Sequence, residues 1–200
     1  MEQKRYIFLD IDGVINHPEW YERIINECNR KDCSKMKMTE FHMDPLCVQR
    51  LNKLEGAEVV ISSSWGYSDE IVNGLQKAGL KLPIIGGIDH LEYARQYISR
   101  GNSIAKWFYD NFNKSIPWDY CFDEDGWYHT EKSYSGTFAD IAAGTEKITY
   151  GENDVMLSYA IIDDDTDMLL QQQNHFVHVN YENGLTDEDI EKAKIMLNIQ

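Results

Sequence analysis

Hydrophobic positions in this chain gather into short runs that stop abruptly at polar residues. Tyr6-Ile7-Phe8-Leu9 is such a run, followed at once by Asp10-Ile11-Asp12-Gly13, the pattern of a buried strand ending in a polar turn. Ala57–Ile61 repeats it with β-branched residues and runs into Ser62-Ser63-Ser64-Trp65. Leu82-Pro83-Ile84-Ile85 stops at Gly86-Gly87, and Leu157–Ile162 meets the acidic run Asp163-Asp164-Asp165-Thr166-Asp167. His175–Asn180 alternates as a fifth strand. Helical patterns lie between. Asp44-Pro45 reads as an N-cap with proline in the first turn, opening a helix through Leu54 that Gly56 closes. Ser68 or Asp69 caps a helix ending near Gly79, Arg100–Asn111 carries Ile104, Trp107 and Phe108 on one face, and Leu185-Thr186 introduces a helix from about Asp187 to Leu197.

Strands alternating with crossover helices predict an α/β domain: a five-stranded, mostly parallel sheet covered on both faces. Two segments break the rhythm. Residues 15–43 lack a clean period and read as a small insertion with one amphipathic helix over Glu19–Asn29; residues 114–152 shift to aromatics, glycine and acids and read as a hairpin or irregular lobe before the fourth strand. At 200 residues the chain is expected to be a single domain carrying both insertions.

Composition narrows the partners. With 42% apolar residues a sizeable core is available, while 34 acidic against 19 basic residues give a net charge of −15. Such a chain repels phosphate backbones and anionic membranes unless its cations gather on one face, which argues against extensive duplex binding. No apolar run approaches the ~20 residues of a membrane span, and the N-terminus does not read as a signal peptide. Four cysteines are too few for a disulfide scaffold, so a reducing, cytoplasmic setting is expected. Cys28, Cys33, His42 and Cys47 form a C-x4-C-x8-H-x4-C string that matches no common zinc module, and ordinary thiols are the better reading.

In parallel sheets ligands bind beyond the carboxyl ends of the strands, and here three strands deliver polar groups to that edge. Asp10 and Asp12 are two apart, so in extended chain both side chains point to one side; one carboxylate can attack while the other manages a proton. Massing Asp163, Asp164 and Asp167 opposite them is electrostatically unfavourable without a counter-ion. An all-oxygen ligand set selects a hard divalent cation such as Mg2+. The Ser62–Ser64 turn can hold a phosphoryl oxygen, and Arg100 at a helix start can neutralise another.

These residues resemble the motifs of the haloacid dehalogenase (HAD) superfamily: Phe8-Leu9-Asp10-Ile11-Asp12-Gly13-Val14 for the first, Val59–Ser64 for the second, and Ile161–Asp167 for the acidic fourth. The Leu-Asp-x-Asp-Gly-Val-x-Asn opening, the Ser-Ser-Ser-Trp turn, Arg100-x-x-x-Ile104-x-x-Trp107 and Gly184-Leu185-Thr186 more narrowly resemble the small HAD domains associated with RNA-repair proteins. The resemblance implies a Rossmann-like three-layer sandwich and a phosphatase working through an aspartyl-phosphate. Asp10 is then the nucleophile and Asp12 the general acid and base, with Mg2+ held by Asp10, the Asp12 carbonyl and one fourth-motif acid, Asp164 before Asp163. Ser63, with Ser62 beside it, matches the second-motif phosphate-binding hydroxyl. Arg100 and Lys106 both qualify as the third-motif cation, and helix-start geometry favours Arg100. Asp163 and Asp167 fit a D-x-x-x-D register.

Members of that superfamily close the site with inserted caps; here the roughly thirty-residue segment after Asp12 is too short for a full cap domain and there is almost no room for one between Gly87 and Arg100, so an open site is expected, able to take a nucleotide or a nucleic-acid terminal phosphate. The aromatics from Trp118 to Tyr134 offer either base-stacking surfaces or a small local core. Two alternatives to hydrolysis stand: a catalytically idle module using its acidic face for protein contacts, and phosphoryl transfer to an acceptor other than water.

Overall fold

The structure, a computed structural model, describes residues 2–28, 43–89, 92–93, 96–97, 99–112, 120–122, 128–130, 147–150 and 153–200. Strand β1 (Glu2–Leu9) is the centre of the sheet, with β2 (Glu58–Ile61) on one side and β9 (Asn153–Asp163) on the other, both parallel to it. Beyond β2 lies β3 (Ile84–Gly87), and beyond β9 lies β10 (Phe176–His178), again parallel. The order β10-β9-β1-β2-β3 means that the chain builds outward from β1 to β3 and then crosses back to β9. Strand order reverses between β1 and β9, and such a switch opens a crevice at the carboxyl ends of the two strands.

Alternation along β1 sends Ile7 and Leu9 to one face and Tyr6 and Phe8 to the other. The first face packs beneath α2 (Pro45–Leu51), α3 (Asp69–Lys77) and α5 (Asp187–Leu197), through Leu51, Leu75 and Ile190 among others. The second lies beneath α4 (Arg100–Phe112), whose Ile104 and Phe108 join Tyr159 and Ile161. Phe8 meets Trp107 and Phe108 edge to face, with ring centroids 5.2 and 5.1 Å apart. Helix α1 (Pro18–Cys28) follows the β1 turn. This is the expected three-layer α/β sandwich.

Several details differ from the expectation. A sixth strand, β8 (Lys147–Tyr150), pairs antiparallel with the first residues of β9, which therefore begins earlier than the apolar run Leu157–Ile162 suggests. Strand β3 starts after Pro83 and includes both glycines expected to stop it. Proline has no N–H to give a ladder, and here the Pro83 carbonyl only accepts, from Val59 N–H at 2.8 Å. Short pairs also form between β4 (Glu92–Tyr93) and β5 (Gln96–Tyr97), and between β6 (Tyr120–Phe122) and β7 (Tyr128–Thr130). The latter is a hairpin, one of the two forms expected of the aromatic segment; its side chains, all of residues 29–42 and most of residues 113–152 lie outside the described residues. No helix among the described residues is long and apolar enough to cross a membrane.

Candidate active site

The sheet ladder continues one residue past its central strands. Asp10 N–H donates to the Ile162 carbonyl at 3.0 Å and Ser62 N–H to the Leu9 carbonyl at 2.8 Å, which puts Asp10, Ser62 and Asp163 side by side at the switch point. The chain then turns sharply: the amides of Val14, Ile15 and Asn16 all converge on the Ile11 carbonyl, at 3.3, 2.9 and 3.0 Å. Gly13 makes this possible with φ +68°, and its bare Cα faces Asp164; a Cβ there would lie 2.5 Å from the Asp164 Cγ.

One guanidinium ties the edge together. Arg100, the first residue of α4 and 4% exposed, places Nη1 2.9 Å from Asp10 Oδ2 and 2.7 Å from Asp163 Oδ2, and Nη2 3.8 Å from Asp165. Asp167 Oδ2 accepts the Arg100 backbone N–H at 2.8 Å, satisfying one of the donors a helix start leaves open. The D-x-x-x-D pair is thereby divided: Asp163 holds the arginine side chain and Asp167 its backbone. Asp163 is fully engaged, since its other oxygen accepts the Asp165 N–H at 2.9 Å. Asp164 is half-buried and stands beside Asp10, whose charge it feels more than that of Arg100.

Asp10, Asp163 and Asp164 each bring one carboxylate oxygen within 4.8 Å of the others. Burial pushes the Asp10 carboxyl up more than Arg100 and the Ser63 hydroxyl pull it down. Asp163 is pushed up by burial and by the charge of Asp10, and Asp164 by the same two causes to about 6. Three carboxyls raised together mark a place short of positive charge, and a bound divalent cation would reverse the shift. The donor set is entirely oxygen, so the residues fit Mg2+.

Two groups acquire places that spacing alone did not assign. Asn16, buried, donates its amide to Asp12 Oδ1 at 2.9 Å. The same side chain hydrogen-bonds Tyr21, whose phenol is pushed up to about 12 by burial and by the nearby Asp12. Asn16 belongs to the opening motif, and that was the signal available for it. Ser63 hydrogen-bonds Asp10 and receives Trp65 N–H at 3.4 Å, whereas the buried Ser62 Oγ finds no partner among the described residues. Lys106 lies two turns along α4 with its ammonium on Asp110. The structure thus brings Asp10, Asp12, Ser62, Ser63, Arg100, Asp163 and Asp164 to one edge and leaves Lys106 beside it.

The cysteine string does not assemble in view: Cys33 and His42 lie outside the described residues, and the Cys47 thiol is buried on the Leu185 carbonyl at 3.6 Å. Cys47 instead joins His17 and Asp44, three potential ligand atoms within 4.8 Å. His17 Nε2 faces Asp44 Oδ2 at 3.1 Å and Nδ1 faces the Glu182 carbonyl at 3.3 Å. Burial alone would lower the imidazole, yet Asp44 and its neighbours raise it to about 9. An acceptor at each nitrogen favours the protonated ring, which pairs with Asp44.

The family model described as the HAD domain in Swiss Army Knife RNA repair proteins matches residues 6–134, more than half of the chain. No curated protein and no solved structure matches. The match takes in β1, the serine turn and Arg100 but stops before β9, whose acids reach the site through the sheet. On the strength of that span and of the edge it helps to build, the chain belongs to the HAD domain family of Swiss Army Knife RNA repair proteins.

Proposed function

We propose that the chain is a Mg2+-dependent phosphomonoester hydrolase that works through an aspartyl-phosphate, with a nucleotide or a nucleic-acid terminal phosphate as substrate. The observation that carries this reading is the convergence of Asp10, Asp163, Asp164 and Arg100 at the switch point of the sheet. Asp10, the carbonyl of Asp12 and Asp164 would hold the ion; Asp164 is preferred over Asp163 because both oxygens of Asp163 are already taken. When bound, Mg2+ offsets the charge of the substrate and of the carboxylates around it.

Asp10 attacks phosphorus, forming a P–O bond to its carboxylate as the bond to the leaving oxygen breaks. Asp12, held through Oδ1 by Asn16, gives its proton to that leaving oxygen. In the second half Asp12 takes a proton from water, the water oxygen bonds to phosphorus, and the bond to Asp10 breaks, restoring both residues. Arg100 and Ser63, both within reach of the Asp10 carboxylate, neutralise and orient the phosphoryl oxygens, and the unpartnered Ser62 hydroxyl adds a donor.

The deciding experiment is release of phosphate from an aryl phosphate, mononucleotides and 3′- and 5′-phosphorylated oligonucleotides with Mg2+ present. Turnover that disappears in a folded Asp10→Asn variant is the expected result. Inactivity across all of these substrates would sink the reading and leave the idle module; product esters with little free phosphate would indicate transfer to another acceptor.

A further inference from the structure

Two strands from the switch point, the carboxyl end of β3 and the stretch of α4 from Ser103 to Asn111 line an open cavity of about 300 Å³. That is the size at which small-molecule pockets begin, at about 300 Å³. Two independent features join it to the site. The register pairs Leu9 with Ile61 and Ile61 with Gly87, so the cavity wall at Gly87 stands two strand spacings, about 10 Å, from the residue that precedes Asp10. Ser103, which also lines it, is three residues past Arg100 and so shares its helix face.

The wall is mostly polar, with two carboxylates against one ammonium, and Trp107 and Ile85 are its large apolar groups. Trp107 lines the cavity and is clamped by edge-to-face contacts with Tyr6 at 5.3 Å and Phe8 at 5.2 Å, so its ring is a rigid surface. Tyr67, 55% exposed, sits on the backbone of Gly87, where an added Cβ would lie 2.6 Å from the Tyr67 Cβ. Ile85 lines the cavity and is itself exposed, as is Trp65 on the turn from Ser63 to Tyr67. Large apolar groups left in water beside a catalytic edge mark a contact surface. Asp89 and Asp110 also line it, and Lys106 pairs with Asp110. Those carboxylates accept hydrogen bonds from amino groups and repel a second phosphate.

We infer that this cavity receives the nucleobase of the leaving group, a flat, uncharged heterocycle held two strand spacings along the sheet from the strand that leads into Asp10. The inference rests on the phosphatase reading and adds the part of the substrate that the site selects. A mononucleotide and a strand end present the same ring.

The test compares nucleoside monophosphates and a 3′-phosphorylated trinucleotide with ribose 5-phosphate, which lacks the base, for the wild type and for Tyr67→Ala and Ile85→Glu, both changed at exposed positions. In the wild type kcat/KM should favour the base-bearing substrate by about tenfold or more. That ratio should collapse toward one in both variants, and the substrate with the larger ratio identifies the source of the ring. A wild-type ratio near one, or a ratio indifferent to both substitutions, overturns the inference while leaving phosphatase activity in place. If nothing is turned over, the phosphatase reading fails separately, and the cavity is decided by NMR of the Trp107 indole N–H, assigned with Trp107→Phe. Movement of that resonance on titration with a nucleoside supports the inference, and its constancy overturns it.

Discussion

At the level of single residues, the turn after β1 shows how a short side chain governs a longer one. Asn16 is folded back over Asp12 by three amides converging on one carbonyl, and its own amide occupies one oxygen of the Asp12 carboxylate. In the proposed mechanism the other oxygen is the one that would exchange the proton with the leaving group. Asn16→Ala should lower kcat on an aryl phosphate by at least about tenfold with little change in KM, because Asn16 orients the acid without reaching the phosphate. Gly13 presents a different constraint. Gly13→Ala forces a methyl group against Asp164 in a left-handed backbone conformation, and should reduce stability by about 1–3 kcal/mol in urea titrations.

Among the elements, the start of α2 gathers the most charge into the least space. Asp44 caps the helix by accepting Leu46 N–H at 2.8 Å, and its other oxygen receives His17 at 3.1 Å and Arg23 at 3.0 Å. Burial raises the Asp44 carboxyl, but these three partners together hold it below the usual carboxylate range. Because His17 is raised to about 9 from 6.5, its contribution is whole below about pH 6.5 and is lost as the pH climbs through 9. The Asp44 contribution has the opposite sense, present above its ordinary range and lost only in acid. Urea midpoints should therefore fall between pH 6.5 and pH 9 or so, and His17→Gln should flatten that slope. A slope unchanged by the substitution would show that another group titrates. Asp44→Ala removes a cap and strands a buried imidazolium, a loss of about 3 kcal/mol or more.

For the whole molecule, the net charge of −15 acquires a distribution. Part of it is ordinary acidic surface; part is a buried group of carboxylates facing one arginine at the switch point. Millimolar Mg2+ at about a hundredfold excess over its dissociation constant should raise the melting temperature by about 5–10 °C, and EDTA should reverse it. Asp164→Asn should abolish most of that rise; an equal rise in the variant would move the ion elsewhere. On the proposed function, that charge disfavours long nucleic acids and suits a substrate presenting a single terminal phosphate.

Much of this was legible in order along the chain, because a buried parallel strand is a continuous apolar run and its end is the first polar residue. Asp10, Ser62 and Asp163 could be placed at strand ends on that ground alone, and the alternation of strands with crossover helices announced two covered faces. The sixth strand and the shifted β3 are local as well: β8 precedes β9 directly and pairs Tyr150 with Asn153, and β3 begins after Pro83, which cannot donate to a ladder. Other features depend on neighbours far away in sequence. Arg100 and Lys106 sit on the same helix and both qualified for one role, yet the first residue reaches Asp10 and Asp163 while the other, two turns on, meets Asp110. Likewise the acids of the fourth run are equivalent as letters, and only burial and partner separate Asp163, bound to the arginine, from Asp164, packed against Gly13. Strand, turn and residue type follow from local hydrophobicity and backbone preference, which a sequence carries. Which carboxylate meets which cation follows from the order of strands in the sheet, a long-range arrangement that folding alone decides.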